Sequence, residues 1–251
     1  LCIPADATAT ATLLAKSPGV VAGLDVAALA FRLLDPEVRW QPRLEDGAQI
    51  GNKPTPLAEV SGNARALLTA ERVALNFLQR MSGVATITRR YVERVAGTQA
   101  RIADTRKTTP GLRLLEKYAV RVGGGFNHRI GLYDAVLIKD NHIRAAGSIG
   151  RAVSQARAQA AHTVKIEVET TSLAQVEQAL TAGADIILLD NMDLATMRQA
   201  VQTVGGRAIT EASGGLTEDR LAQVAATGVN VLSVGALTHS APAMDISLDF
   251  A

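Results

Sequence analysis

Three short segments near the middle of the chain concentrate basic side chains beside flexible glycines. Within residues 104–142 they supply two arginines, two lysines and two histidines, in the sequences DTRKTTPG (104–111), GGGFNHR (123–129) and LIKDNH (137–142). Arginine offers a planar fork that matches a carboxylate or a phosphate, and lysine adds a compact positive charge. The segments therefore predict a site for a ligand with several negative charges, with a solvated basic loop as the alternative.

Charged residues also close several apolar segments that have the pattern of buried strands. Lys139 follows one of them, where it suits phosphate binding or Schiff-base chemistry, with an ordinary rim lysine as the alternative. Glu169 and Asp190 close the next two segments. Carboxylates at these places suit sugar hydroxyls, a divalent cation or a developing positive charge, and salt bridges to the basic residues are the alternative role.

Glycine turns at the late strands add a further anion-binding feature. Ser213, Gly214 and Gly215 precede a predicted helix, and Gly235 ends the last predicted strand. Backbone N–H groups at such turns and at helix N-termini favour phosphate. His128 is a candidate anion contact or acid–base group, with a packed loop histidine as the alternative. The sequence contains no HExxH, Walker or cysteine metal pattern, so any metal is expected to arrive with the substrate.

The elements that must position these residues alternate between strand and helix from residue 102 to residue 234. About six such units with short apolar strands favour a parallel α/β barrel, closed or nearly closed, with its site at the carboxyl ends of the strands. Residues 7–60 have a β-rich pattern with one short helix, and a helix capped by Asn63 follows, with a break expected at Ser82 and Gly83. The predicted domains are 1–75, joined by 241–251, and 76–240.

The composition indicates which binding partners and which cellular compartment are expected. A net charge of +2 and 3% aromatic residues over 251 residues argue against nucleic-acid binding. Cys2 is the only cysteine, which excludes an internal disulfide and fits the cytoplasm. No apolar run reaches the length of a membrane span, and the first residues lack the pattern of a signal peptide. Because the chain does not open with Met, it is expected to begin partway into a longer protein or to comprise only the ordered part of one.

Seven motifs, in order over essentially the whole chain, closely resemble those of the quinolinate phosphoribosyltransferases, also called carboxylating nicotinate-nucleotide pyrophosphorylases. They are ERVALNFLQRMSG (71–83), DTRKT (104–108), GGGFNHR (123–129), LIKDNH (137–142), LLDN (188–191), EASGG (211–215) and VGALTH (234–239). The resemblance implies an N-terminal α/β sandwich plus an incomplete parallel α/β barrel, in a homodimer or a hexamer of dimers. It also implies a pentosyltransferase of NAD biosynthesis that joins quinolinate to phosphoribosyl pyrophosphate with Mg²⁺, giving nicotinate mononucleotide, pyrophosphate and CO₂.

The resemblance assigns roles by position. Quinolinate would be bound by Arg106, Lys107, His128 and Arg129, with Arg72 inserted from the partner subunit. Phosphoribosyl pyrophosphate would be bound by Lys139, Glu169, Asp190, Ser213, Gly214, Gly215 and Gly235. The expected catalytic residues are Lys139, Glu169 and Asp190. No direct protein ligand of a metal is assigned, and Mg²⁺ is expected to arrive with phosphoribosyl pyrophosphate and to lie near Glu169 and Asp190. Family members usually carry a further N-terminal helical stretch before the position of Leu1, which bears on subunit pairing and site closure.

Three other functions remain open from the sequence. A molybdenum-transport-associated relative of the same fold would keep the phosphoribosyl pyrophosphate residues but change the ring pocket, and the intact 104–107 and 127–129 motifs argue against it. A Schiff-base aldolase would use Lys139, although the nearby arginines do not require that chemistry. A non-catalytic barrel would only bind phosphorylated metabolites, and the presence of every expected chemical residue argues against this.

Overall fold

The computed structural model describes residues 2–251, and the first residue of the predicted domain 1–75 lies outside that range. The strands of this range are β1 (Thr8–Ala15), β2 (Gly19–Val20), β3 (Arg39–Pro42), β4 (Gln49–Ile50), β5 (Thr55–Asn63), β6 (Arg101–Ala103), β7 (Val136–Ile138), β8 (Ile166–Thr170), β9 (Ile186–Asp190), β10 (Ile209–Ser213), β11 (Val231–Ser233) and β12 (Ile246–Phe250). The helices are α1 (Leu24–Arg32), α2 (Ala64–Arg94), α3 (Arg113–Val122), α4 (Asp140–Ala146), α5 (Ile149–Gln159), α6 (Leu173–Thr181), α7 (Leu194–Val204), α8 (Leu221–Ala225) and α9 (Ala236–His239).

The chain divides into two compact units whose bounds differ from the predicted domains. The first unit contains residues 2–90, Thr109–Gly124 and Ala236–Ala251, and the second contains Tyr91–Thr108 and Gly125–Gly235. The difference arises because α2 continues without interruption past residue 75, and because α3 packs with the first unit although it follows β6 in the chain.

An antiparallel sheet with the strand order β12-β1-β5-β3 forms the centre of the first unit. On β1 the side chains of Ala11, Leu13 and Ala15 are fully buried, which is the two-residue period of a strand with one face on a core. The same core takes in Leu67 and Leu78 from α2. The first unit is therefore a sheet covered by a helix, as the predicted α/β sandwich requires.

Helix α2 begins where the sequence predicts it. The side chain of Asn63 accepts hydrogen bonds from the backbone N–H groups of Arg65 (3.0 Å) and Ala66 (3.2 Å), so it caps two of the N–H groups that a helix start leaves unpaired. The predicted break at Ser82 and Gly83 is wrong, since one helix runs over Ala64–Arg94. These two small residues serve tertiary packing instead.

Close packing explains the small residues in the middle of α2. The hydroxyl of Ser82 accepts the backbone N–H of Ala22 at 3.0 Å, and a Cβ atom on Gly83 would overlap with the carbonyl oxygen of Pro242. Both contacts lie within the first unit. A local sequence pattern cannot reveal that another part of the chain presses against a helix at these positions.

The second unit is built on a parallel sheet with the strand order β6-β11-β10-β9-β8-β7. Strands β6 and β7 form the two edges and do not pair with each other, so the sheet does not close. Helices α5, α6 and α7 alternate with the strands and pack side by side. This arrangement confirms the predicted incomplete parallel barrel.

Two helices of the second unit differ from the predicted pattern. Helix α4 begins directly after Lys139, where no helix was expected, and the ring Nδ1 of His142 accepts the backbone N–H of Lys139 at 2.9 Å. Helix α8 begins at Leu221 rather than near Thr217.

Among residues 2–251, no helix combines the length and the apolar character that crossing a membrane requires.

The packing at Gly83 predicts an unusual response to alanine. In an open helix, replacing glycine by alanine stabilises a protein by about 0.4–1 kcal/mol. For Gly83→Ala we expect a loss of about 1–3 kcal/mol, because the added methyl group meets a backbone carbonyl that cannot turn away. Urea unfolding measures the free energy. The control is Gly150→Ala in α5, where a Cβ meets nothing within 4 Å; equal stability of the two variants would contradict the packing argument.

Candidate active site

A cavity of about 720 Å³ lies in the second unit at the carboxyl ends of its strands. The predicted site residues that line it are Arg106, Lys107, His128, Arg129, Lys139, Glu169, Asp190, Ser213, Gly214 and Gly215. Residues separated by more than a hundred positions in the chain therefore meet in one place. Two predicted residues do not line this cavity: Gly235 follows β11, and Arg72 belongs to α2 of the first unit, where its side chain is 69% exposed.

The parallel strands explain why these particular side chains meet. Asp190 ends β9 and Ser213 ends β10, and the two residues are partners in the register of the sheet. Glu169 precedes the last residue of β8 and is paired with Leu188 of β9. Since the carboxyl ends of parallel strands lie at one edge, the polar residue that closes each apolar strand reaches the same space.

Lys139 and Glu169 form an ion pair at the cavity. The Lys139 Nζ atom lies 3.2 Å from Glu169 Oε2. The lysine side chain is half exposed, so solvent screens the pair and it contributes little to stability. The salt bridge that the sequence left open as an alternative for the carboxylate is thus present, and both charged groups remain accessible to a ligand.

A strained turn closes the cavity at β9 and β10. Asn191 has a positive φ of 53°, and its backbone N–H donates to the Ser213 carbonyl oxygen at 2.9 Å. Gly214 and Gly215 follow with φ values of 89° and 57°, and a Cβ on Gly214 would overlap with the Asn191 side chain. Positive φ in two successive residues requires glycine in practice. Asn191 was given no role from the sequence, although it stands in one of the seven motifs.

His128 lines the cavity beside two buried carboxylates, of which Glu211 also lines the cavity and Glu167 does not. Its Nε2 atom is 3.2 Å from Glu167 Oε2 and 3.5 Å from Glu211 Oε1. The residues Glu167 and Glu211 are only 3% and 4% exposed. On the other side of the ring, Nδ1 accepts the backbone N–H of Arg129 at 2.7 Å. Sequence reasoning assigned neither carboxylate a role, because each stands inside its strand, two positions before the polar residue chosen near the carboxyl end.

The charges of His128 and its two carboxylate neighbours affect the pKa values within the cluster. Burial lowers the pKa of His128, but hydrogen bonds to Glu167 and Glu211 outweigh it and raise that pKa to about 10. Burial also raises the pKa of Glu167, against the opposing effect of His128. The two carboxylates thus favour a proton on the ring, and burial favours the protonated form of Glu167. Because Nδ1 accepts the Arg129 N–H, a ring hydrogen lies on Nε2, the nitrogen that faces the carboxylates.

Two arginines stand close enough at the cavity to affect each other. Burial lowers the pKa of Arg129 from its usual value, and the charge of Arg106 lowers it further. The Arg129 Nη1 atom donates to the carbonyl oxygen of Ala135 at 3.2 Å, which holds the guanidinium in place. Two like charges held side by side are stabilised by a bound anion. The predicted anion site thus has a physical basis in the geometry.

One group of three potential metal ligands occurs in residues 2–251. The ligand atoms of His128, Glu167 and Glu211 lie within 4.8 Å of one another. Glu169 and Asp190, beside which the metal was expected, are not part of this group, although both line the cavity with carboxylate oxygens. The cavity therefore offers oxygen ligands of the type that Mg²⁺ prefers.

Comparison with known proteins agrees with this architecture. The model of the quinolinate phosphoribosyl transferase N-terminal domain matches residues 1–82, and that of the C-terminal domain matches residues 84–249. A probable nicotinate-nucleotide pyrophosphorylase (carboxylating) of Bacillus subtilis is 49% identical over 239 residues, which is 95% of this chain and 82% of that protein. A nicotinate-nucleotide pyrophosphorylase (carboxylating) of Mycobacterium leprae is 49% identical over 256 residues, which is 98% of this chain and 88% of that protein.

Solved structures give the same result. The crystal structure of NadC from Streptococcus pyogenes has a TM-score of 0.94 at 45% identity and covers 99% of this chain and 89% of that one. The nicotinate-nucleotide pyrophosphorylase from Francisella tularensis has a TM-score of 0.94 at 41% identity, with 98% and 87% covered. These matches confirm the resemblance seen in the seven motifs. With both of its domain models matched in order along the chain, the protein belongs to the quinolinate phosphoribosyltransferase family.

Proposed function

We propose that the cavity of the second unit is where this enzyme joins quinolinate to phosphoribosyl pyrophosphate. The family makes the chain a pentosyltransferase of NAD biosynthesis, and the products are nicotinate mononucleotide, pyrophosphate and CO₂. The observation that carries the placement is that cations, carboxylates and a glycine turn, all predicted from separate motifs, line one cavity. Quinolinate brings two carboxylates and the cosubstrate brings a phosphate and a pyrophosphate, so such a cavity suits both.

The ring substrate is assigned to the cationic part of the cavity. Arg106, Lys107 and Arg129 come from the loops after β6 and before β7, and they would bind the two carboxylates of quinolinate, with His128 beside them. A planar guanidinium can hold a carboxylate through two parallel hydrogen bonds. Arg106 and Arg129 repel each other electrostatically, and a dianion bound between them would offset this repulsion. The repulsion therefore supports the assignment of quinolinate to this part of the cavity.

Phosphoribosyl pyrophosphate is assigned to the strand ends. Ser213, Gly214 and Gly215 would hold the 5′-phosphate, with Gly235 from the end of the neighbouring strand β11, and Lys139 would lie between the two substrates. Glu169 and Asp190 would face the ribose. Their carboxylates also fit Mg²⁺ carried by the pyrophosphate, and when bound the ion would neutralise charge on the leaving group.

The chemistry follows from these positions. The pyridine nitrogen attacks the anomeric carbon of the ribose while the bond to pyrophosphate breaks, and positive charge develops on the sugar. Glu169 and Asp190 stabilise that charge electrostatically. The ring nitrogen is then quaternised, so the adjacent carbon can hold the electron pair left when CO₂ departs, and a proton replaces the carboxylate. The arginines need only hold the ring in place for this step.

The assembly and the compartment are further parts of this proposal. Arg72 lies on the exposed side of α2, and we assign it to the cavity of a partner subunit in a homodimer or a hexamer of dimers. A residue that completes a neighbour's site makes activity depend on assembly. The cytoplasm is the proposed location, in keeping with the single cysteine.

A coupled assay tests the reaction. Purified protein with quinolinate, phosphoribosyl pyrophosphate and Mg²⁺ is expected to release pyrophosphate and CO₂ in equal amounts. Nicotinate in place of quinolinate is the control, since it lacks the carboxylate that leaves, and is expected to give no CO₂ and little pyrophosphate. Turnover of another ring substrate in place of quinolinate would instead favour a relative with a changed ring pocket.

The glycine turn predicts a specific loss of phosphate binding. Gly214→Ala forces a side chain against Asn191 and into a positive φ, so we expect the KM for phosphoribosyl pyrophosphate to rise about tenfold or more. Gly206→Ala is the matched control, because Gly206 has a similar φ of 78° but a Cβ there meets nothing within 4 Å. Thermal unfolding should show a loss of stability in both variants, and a larger one in Gly214→Ala because of the added overlap with Asn191. An equal change of KM in both would show that backbone strain alone is responsible.

Mixing inactive variants tests the role of Arg72. Arg72→Ala and Arg106→Ala should each lose most activity, yet a hybrid dimer would contain one intact site when Arg72 acts across the interface. After subunit exchange we expect recovery of about a quarter of the wild-type activity. A mixture of Arg106→Ala with Arg129→Ala should recover none, since every site then lacks one arginine. No recovery in the first mixture, with exchange demonstrated, would place Arg72 in the site of its own chain.

A further inference from the structure

Two buried glutamates of the second unit have no part in the reaction as described above. Glu167 and Glu211 stand on β8 and β10, and both are more than nine-tenths buried. The Oε1 atom of Glu167 and the Oε1 atom of Glu211 have no hydrogen-bond partner among the described residues. Burying a carboxylate without full hydrogen bonding costs free energy, and an apolar pair of similar volume is often as stable. Stability therefore does not explain why these residues are acidic.

The position of the glutamates relative to His128 offers an explanation. Glu167 Oε2 lies 3.2 Å from Nε2 of the imidazole, and Glu211 Oε1 lies 3.5 Å from the same atom. The ring nitrogen thus faces Glu167 Oε2 at hydrogen-bond distance, and Glu211 lies close enough to attract it electrostatically. The glutamates hold the imidazole at Nε2, the ring nitrogen that does not contact Arg129. This contact fixes the tautomer with the hydrogen on Nε2.

The opposite side of the ring contacts the backbone of the next residue. Nδ1 of His128 accepts the Arg129 N–H at 2.7 Å, and the His128 N–H donates to Asp104 Oδ1 at 2.8 Å. Asp104 is fully buried, and it directly precedes the segment that carries Arg106. Hydrogen bonds therefore fix both the ring and the backbone at residues 128 and 129, and the guanidinium of Arg129 extends from this anchored backbone.

We infer that Glu167 and Glu211 are positioning residues for the ring substrate, which act through His128 to hold Arg129 in the geometry that binds a carboxylate. This inference rests on the proposed function. It assigns His128 a linking role, with each ring nitrogen bonded to the protein. A guanidinium that recognises a carboxylate through two hydrogen bonds tolerates little displacement, so loss of its support weakens binding even when its charge remains.

Substitutions of Glu167 separate this role from folding. Glu167→Met keeps the volume but removes the acceptor, and replacing a buried carboxylate by an apolar side chain often preserves stability. Glu167→Gln keeps an oxygen that can accept the Nε2 hydrogen. We expect Glu167→Met to raise the KM for quinolinate about tenfold or more, with less than about a twofold change for phosphoribosyl pyrophosphate, while Glu167→Gln stays near the wild type. Glu177→Met, an exposed position on α6, is the control.

A double-mutant cycle tests whether the effect passes through the histidine. In His128→Asn the shorter side chain can still accept the Arg129 N–H but cannot reach the glutamates. Adding Glu167→Met to this variant should change the KM for quinolinate little, because the link is already broken. Additive effects of the two substitutions would overturn the inference, as would a folded Glu167→Met variant with an unchanged KM for quinolinate or with equal changes for both substrates.

Hydrogen exchange gives a readout that does not need turnover. In the ligand-free protein the Arg129 amide should exchange about tenfold or more faster in Glu167→Met than in the wild type or in Glu167→Gln, because its acceptor is no longer held. Wild-type protein without activity on quinolinate would refute the proposed function while this test still decides the positioning role. Unchanged exchange at Arg129 in Glu167→Met would overturn the positioning role while wild-type turnover upholds the function.

Discussion

Side chains on a β-strand point alternately to its two faces, and parallel strands bring their carboxyl ends to one edge; together these constraints place the charged groups of the cavity. On β8, Glu167 and Glu169 are two residues apart and share a face. On β10, Glu211 and Ser213 have the same relation. In each strand the earlier residue is buried and the later one is partly exposed. The sheet thus produces two levels, with buried acids beneath and ligand-accessible groups at the strand ends.

Positive and negative side chains of the cavity come from different parts of the chain. Arg106, Lys107 and Arg129 come from loops around the open edge strands, whereas Glu169 and Asp190 come from the neighbouring strands β8 and β9. A dianionic ring and a sugar that becomes positive in the transition state need opposite environments within one cavity. Lys139 forms an ion pair with Glu169 at 3.2 Å and so brings a positive charge to the acidic strand ends. The carboxyl-terminal edge of one parallel sheet therefore provides both a cationic and an acidic environment, and no separate domain is required for each substrate.

Local sequence patterns correctly predicted several structural features that depend on residues close together in the chain. Asn63 caps α2 through its own neighbours, and the alternation of strand and helix follows from hydrophobic periodicity, so both were predictable. The supposed break at Gly83 was wrong because glycine there admits the carbonyl of Pro242, a contact between distant parts of the chain. Helix α4 was missed although the contact between Lys139 and His142 at its start is local, because neither residue is a usual helix-capping residue. Most of the residues chosen from the motifs line one cavity, whereas Gly235 and Arg72 do not, and no pattern indicated the partners of His128.

The buried acids raise a physical difficulty that their pairing with His128 reduces. Two carboxylates directly beneath a site for a dianion would oppose binding through their charge, and few neighbours screen them in a buried location. Burial raises the pKa of Glu167, and the two carboxylates raise the pKa of His128 to about 10. Both shifts favour additional protons in the cluster, which reduces its net negative charge. The field of Arg106 and Arg129 at the cavity is correspondingly less cancelled, so the acids can hold the histidine in place without preventing recognition of an anion above it.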